Sequence, residues 1–262
     1  MRIALGLSYH GARFDGWQSQ PTGRGVQDHV ERALAAIAQE PIRVTAAGRT
    51  DAGVHALAQV VHFDTSASRP LSAWVRGVNS SLDPGIAAEW AAPVDDSFHA
   101  RFSAIARRYH YLLYCSPVRP SVLGGLAGWF HQPVDVAAMR EGLRCLLGRH
   151  DFSSFRAAEC QAKTPFRELR QASIDRQDRY LLFAFEADAF LHHMIRNIVG
   201  CLVYVGAGRA PASWMAELLA ARDRRLAAPT FGAEGLYLTA VRYPPRYEIQ
   251  AESVLPWFPP PS

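Results

Sequence analysis

Cysteine is scarce. The 262 residues hold four, Cys115, Cys145, Cys160 and Cys201, and none forms a Cys-x-x-Cys pair, which argues against a zinc ribbon. Metal-ligand spacing is missing elsewhere too. His192 and His193 are neighbours and would point about a quarter-turn or more apart on a helix. His55 and His62 have no acidic companion at ligand spacing, so no metal is expected. No stretch reaches the ~18 uninterrupted apolar residues needed to cross a bilayer, and the most apolar helix candidate carries His192, His193, Arg196 and Asn197. The N-terminal run Arg2–Leu7 is a short strand pattern rather than a long leader h-region, so a cytoplasmic protein with reduced thiols is expected. There is no glycine-rich phosphate loop, no RNP1-type motif and no convincing internal repeat. Lysine is almost absent: Lys163 is the only one among 28 basic residues.

What is present is a globular composition, 49% hydrophobic, with net charge +4 and a pI near 9.0. That balance is compatible with a polyanionic partner without demanding one. Arginine suits bidentate phosphate contacts and stacking on bases, although an Ala- and Arg-rich coding bias yields the same ratio. The length fits one large domain or two small ones. Strands are predicted over 3–7, 42–46, 58–63 and 86–90. Val26, Val30, Leu34 and Ile37 mark an amphipathic helix over about 25–40, and a short helix is read over 73–79. A second part begins near Ala106, with strands over 109–114, 180–187 and 236–243 and a loop over 117–128. Asp135 is placed to cap a helix whose Val136, Met139, Leu143, Leu146 and Leu147 share a face and which Gly148 ends. Further helices are expected over 190–205 and from Pro211, with Trp214 and Leu218 on one face. Strands and helices mix without βαβ alternation, which favours an α+β fold over a Rossmann unit. The division is read as 1–105, 106–245 and a Pro-rich tail over 246–262, whose Trp257 and Phe258 would be either loose or packed.

The most informative segment is Ala47-Gly48-Arg49-Thr50-Asp51-Ala52-Gly53-Val54-His55-Ala56. It sets the Asp51 carboxylate in a small-residue loop between two strands, where a scaffold presents catalytic groups and glycine lets a ligand approach the backbone. Aspartate in such a loop also serves as an ordinary Asx-turn residue.

This segment resembles the signature of the TruA family of tRNA pseudouridine synthases, and the resemblance extends through blocks in family order. These are Ser8–Gln20 with Gly16-Trp17-Gln18 intact, Phe98-His99-Ala100-Arg101-Phe102, Arg108-Tyr109-His110-Tyr111, Asp151-Phe152-Ser153-Ser154-Phe155, His192–Gly200 and Glu234–Leu238, covering about residues 1–245. His10 departs from the pattern, since many relatives carry Asp there. The resemblance implies two similar α+β halves with largely antiparallel sheets joined around a central catalytic cleft, and no cofactor. It implies Asp51 as the catalytic carboxylate and Arg196 as its partner, although a polar residue on an apolar helix often faces solvent. Tyr109 matches the active-site tyrosine; by alternation alone Tyr109 and Tyr111 would be core residues. Arg49 would hold a phosphate or the flipped nucleotide. If the loop is extended, Arg49 and Asp51, two apart, reach the same side. The implied substrate is uridine at positions 38, 39 and 40 of the tRNA anticodon stem-loop, handled by a homodimer. Arg13, Arg24, Arg101, Arg107, Arg108, Arg156 and Arg167 are candidate RNA contacts, with Arg–aromatic interleaving at 101–102 and 107–109. The rival classes are a non-catalytic RNA-binding protein on this fold and a hydrolase using Asp51 with His55 or His62.

Overall fold

In the computed structural model, which describes residues 1–255, the strands in chain order are β1 (Arg2–Tyr9), β2 (Thr45–Ala46), β3 (His55–Asp64), β4 (Ile86–Val94), β5 (Ala106–Cys115), β6 (Gly128–Phe130), β7 (Gly148–Asp151), β8 (Phe166–Gln177), β9 (Tyr180–Ala187), β10 (Leu236–Arg242) and β11 (Gln250–Glu252). The α-helices are α1 (Val26–Ala38), α2 (Val136–Arg144), α3 (Met194–Gly206) and α4 (Trp214–Ala221), and a π-helical turn spans Ala73–Gly77. The chain forms two compact units. One comprises Met1–Arg107 with the chain from Tyr237 onward; the other comprises Arg108–Leu236.

In the first unit the strand order is β4-β1-β3-β10. β1 is antiparallel to both β3 and β4. β10 runs parallel to β3, with Tyr237 opposite His55 and Leu238 opposite Ala56. That pairing places the last long strand with the first unit, whereas the sequence assigned it to the second half. The expected tail also begins as structure: β11 pairs with β10, and Ala251 and Leu255 are buried. Trp257 and Phe258 lie outside the described residues. The strand expected over 42–46 shortens to Thr45–Ala46, paired with the far end of β3. α1 forms as its spacing predicts, burying Val26, Val30, Ala33 and Leu34. Asp28 reaches back to accept the Gly25 N–H at 3.0 Å, satisfying a donor that the helix start leaves open. Burying side chains such as Val30 and Leu34 stabilises the unit by roughly 1.5–3 kcal/mol each.

In the second unit the order is β5-β9-β8-β7, with β6 parallel to β5. β8 and β9 form an antiparallel hairpin, Ile174 opposite Phe183. Asp135 caps α2 as expected, accepting from the N–H groups of Ala137 at 2.9 Å and Ala138 at 3.1 Å. The helix stops at Arg144, so Leu147 is exposed instead of joining the buried face. α3 starts later than predicted because His193 adopts left-handed backbone, φ 60°. α4 buries Met215 and Leu218, while Trp214 stacks on Tyr204. β8 was not anticipated. Among the described residues no helix is long and apolar enough to cross a membrane.

Candidate active site

Asp51 stands on the loop between β2 and β3. Exposure alternates along it: Arg49 is exposed, Thr50 buried and Asp51 half-buried. The alternation sets Arg49 and Asp51 on the outward side, as the two-residue spacing requires of extended backbone. The Asp51 carbonyl accepts the Val54 N–H at 3.1 Å, closing a turn that Gly53 completes at φ 82°, a position where glycine is favoured.

The underside of this loop is held by buried donors of the same unit. The Trp17 N–H donates to the Thr50 carbonyl at 2.9 Å. Gly16, at φ 89°, makes that approach feasible: a Cβ there would sit 2.9 Å from the Thr50 carbonyl oxygen and 3.0 Å from the Ala52 nitrogen. The hydroxyls of Tyr9 and Thr50 share a hydrogen bond of 2.8 Å. The Gln59 side-chain amide, fully buried, donates to the Gly48 carbonyl at 2.7 Å and to the Tyr9 hydroxyl at 3.3 Å. Burial pushes the Tyr9 hydroxyl up to about 12, so it stays a neutral hydrogen-bonding group. The Arg107 guanidinium donates to the carbonyls of Ala47 at 3.0 Å, Arg101 at 2.6 Å and Ala104 at 3.2 Å. On the β3 side, His55 Nδ1 accepts the Gly11 N–H at 3.0 Å. Its ring stacks on Tyr237 with centroids 4.6 Å apart and meets the edge of His10 at 4.9 Å. The Asp51 loop is therefore fixed at 47, 48, 50 and 55, with Arg49 exposed and Asp51 half-buried on its other side. A half-buried carboxylate on such a frame suits acid–base or nucleophilic work at one defined place.

The second unit carries the other two predicted residues. Tyr109 lies on β5, buried, with its ring edge-on to Phe190 at 5.2 Å. Arg196 occupies the first turn of α3. Its Nε donates to the Phe231 carbonyl at 2.9 Å, and the Phe231 N–H returns a bond to the Arg196 carbonyl at 3.2 Å. The adjacent Asn197 is fully buried. It donates to the Phe155 carbonyl at 2.8 Å and accepts from the Thr230 hydroxyl at 2.7 Å and Arg224 at 3.0 Å. That ties the His192–Gly200 block to the Phe152–Phe155 block within this unit.

Some candidate RNA contacts have other duties. Arg107 is buried under the Asp51 loop. Arg108 forms an ion pair with Glu186 at 2.8 Å. Arg156 donates to the Ala162 carbonyl at 2.9 Å, and Arg167 to the Thr164 carbonyl at 3.0 Å. Arg101 stays exposed, while Arg13 and Arg24 face Asp83 at 3.3 Å and Asp15 at 3.7 Å. His62 is buried, accepts the Ala100 N–H on Nδ1 at 3.1 Å, and is driven down to about 4 by burial and then by His99 and Arg2. Both His55 and His62 thus spend one ring nitrogen on the backbone, which disfavours the hydrolase reading. The supports that sequence reasoning missed are Tyr9, Thr50 and Gln59; Arg107, read as an RNA contact, is the fourth support. Gln59, a polar residue inside an apolar strand, was the one visible signal.

Comparison with known proteins gives the family. The family model described as tRNA pseudouridine synthase matches residues 7–103 and 143–244. A tRNA pseudouridine synthase A of Thiobacillus denitrificans is 60% identical over 253 residues, 97% of each chain. One of Aromatoleum aromaticum is 58% identical over 252 residues, 96% of each. One of Burkholderia cenocepacia is 54% identical over 259 residues, 98% of this chain and 96% of the relative. Likeness to the solved Cbf5-Nop10-Gar1 complex is distant, with 12% identity and a TM-score of 0.36 over 90% of this chain and 48% of that one. Matched on either side of the Asp51 loop and along nearly its full length, this chain belongs to the tRNA pseudouridine synthase family.

Proposed function

We propose that this chain isomerises uridine to pseudouridine in tRNA, at positions 38, 39 and 40 of the anticodon stem-loop, with Asp51 as the central group and no cofactor. The observation that carries the reading is Asp51 itself: an aspartate in the segment that resembles the family signature, half-exposed on a loop whose backbone is clamped from below. The reaction breaks the N1–C1′ bond, turns the uracil and forms a C5–C1′ bond. C5 loses a proton and N1 gains one, so no electrons enter or leave. A carboxylate serves this by attacking C1′, by taking the C2′ proton or by stabilising cationic character at C1′. The target base has to leave the helical stack for Asp51 to reach its sugar.

By the family pattern we assign Arg196 as the carboxylate's partner, because a guanidinium stays charged and binds both oxygens. Its anchoring at the Phe231 carbonyl supports a fixed orientation. Tyr109 is assigned to the uracil, its ring for stacking and its hydroxyl for a hydrogen bond. Arg49, exposed two residues before Asp51, is assigned to an RNA phosphate or the flipped nucleotide. A homodimer in which one tRNA touches both subunits, working in the cytoplasm, completes the proposal.

The test is carbodiimide mapping of unmodified tRNA after incubation with the protein. Wild type is expected to give adducts at 38–40, and Asp51→Asn to give none while still binding tRNA. A residual rate above about a hundredth of wild type would overturn the role of Asp51, given that general-base effects alone are typically ~10²–10⁴-fold. Binding without adducts in wild type would favour the non-catalytic reading, and release of free uracil a hydrolase.

A further inference from the structure

We propose that Phe102 is a stacking platform for an unpaired base of the tRNA, with Arg101 beside it for the neighbouring phosphate; this rests on the tRNA reading above. Phe102 is 76% exposed, more than any other phenylalanine, tyrosine or tryptophan among the described residues. Leaving such a ring in water forfeits roughly 1.5–3 kcal/mol of burial, yet the chain holds it there rigidly. The Ser103 N–H donates to the His99 carbonyl at 2.8 Å, and the His99 N–H donates to the Ser103 hydroxyl at 3.0 Å. His99 Nδ1 accepts the N–H groups of both Arg101 and Phe102 at 3.2 Å. The His99 ring backs the Phe102 ring, centroids 4.3 Å apart and planes inclined by 29°. The turn is anchored from inside: Phe98 and Ala100 are fully buried. The Ala100 carbonyl accepts the Tyr243 hydroxyl at 2.7 Å, and its N–H goes to His62.

The flanks of the ring identify the partner. The Arg101 guanidinium lies over the ring, 5.7 Å from its centroid, and Arg101 is itself exposed. A second arginine–aromatic pair, Arg246 over Tyr247 at 4.7 Å, adjoins the turn through Phe98 at 5.1 Å. Aromatic faces beside arginines bind bases by stacking, whatever the base. A protein partner would need a contiguous apolar patch, but Phe102 is bounded by Arg101 and Ser103, and Ile105 adds only a half-exposed side chain. Asp95 and Asp96 lie on the same surface segment, both exposed. They keep the patch from being strongly basic, so the contribution of Phe102 comes from the ring rather than from a long-range field.

The experiment compares wild type, Phe102→Ala and Phe102→Trp in three measurements: Kd for unmodified tRNA at two salt concentrations, initial rate at saturating tRNA, and sedimentation velocity. Phe102→Ala is expected to weaken binding about 5- to 150-fold, the range that ~1–3 kcal/mol per stacked base converts to. The saturated rate should be kept, and the salt slope should match wild type. Phe102→Trp should restore binding to within a few-fold. Unchanged affinity in Phe102→Ala overturns the platform. So does an affinity loss that tracks dissociation into monomers, because the ring would then face a second copy of this chain. Wild type that binds tRNA but forms no pseudouridine would overturn the enzymatic reading while leaving the comparison intact. Wild type that does not bind tRNA would overturn both.

Discussion

Replacing Gln59 with leucine removes the strut beneath the Asp51 loop while touching no group that meets the substrate. Leucine nearly fills the same volume, so the fully buried site is neither emptied nor overpacked. Two donor contacts disappear, the 2.7 Å bond to the Gly48 carbonyl and the 3.3 Å bond to the Tyr9 hydroxyl. The Tyr9 hydroxyl keeps Thr50 at 2.8 Å, so the cost falls on the Gly48 carbonyl and on the Val60 N–H, which loses the Gln59 Oε1 acceptor at 3.2 Å. Leaving one such acceptor without its donor costs about 1–3 kcal/mol, which should appear as a lower urea midpoint with an unchanged slope. The loop can relieve that cost by turning the Gly48 carbonyl towards water, and such a movement carries Asp51 with it. A displacement near 1 Å at a reacting group costs on the order of 10²-fold, so kcat is expected to fall about 10- to 100-fold with KM for tRNA little changed. Label released from C5-tritiated uridine in tRNA reads the rate directly, because closing the C5–C1′ bond expels the C5 proton. Full kcat in a protein destabilised by the stated amount would refute the reasoning, for the strut would then serve stability alone.

The buried clamp Arg107 separates structure from RNA contact: Arg107→Lys should lower thermal stability by about 2 kcal/mol or more, since each charge-assisted bond is worth ~1.5–3 kcal/mol, and should leave the salt slope of tRNA binding unaltered. A reduced salt slope with no loss in melting temperature would return Arg107 to the RNA surface. His62 gives a pH signature. Its proton affinity is depressed to about 4 in the fold, mainly by burial, so below the ordinary imidazole value near 6.5 the unfolded chain binds the extra proton. Stability contributed there is fully present above pH ~6.5 and lost as pH falls towards 4, by up to about 3 kcal/mol at ~1.4 kcal/mol per unit. His62→Gln should flatten that part of the stability profile; an unchanged profile would assign it to other groups.

The sequence was most readable where one element satisfies itself. α1 carries its own apolar stripe at Val26, Val30 and Leu34, and Asp135 caps the helix that follows it. β8 escaped because it has no such pattern: Arg167, Glu168, Arg170, Asp175 and Arg176 leave only Leu169 and Ile174 buried. Its conformation is imposed by backbone pairing with β7 and β9 on either side, which side-chain periodicity does not encode. The Asp51 loop was legible for a local reason, since glycines and a flanking arginine stand within a few residues. Its supports were not, because they are remote along the chain: Tyr9 is 41 residues from Thr50 and 50 from Gln59. Arg107 misled for the same reason. Next to Arg108 and Tyr109 it looks like an RNA contact, but its role is set by Ala47, 60 residues earlier.

The parallel pairing of β10 with β3 has a consequence for biogenesis. His55, at the exit of the Asp51 loop, gains its stacking partner Tyr237 and its neighbouring strand only after the ribosome has made the whole second unit, residues 108–236. At about 5–20 residues per second that wait is on the order of ten seconds. Throughout it the start of β3, at His55 and Ala56, lacks its partner on one edge, the kind of edge that recruits foreign strands. The Asp51 loop is therefore among the first segments to be synthesised and among the last to be finished, and a chain broken off before Tyr237 has the aspartate without its complete frame.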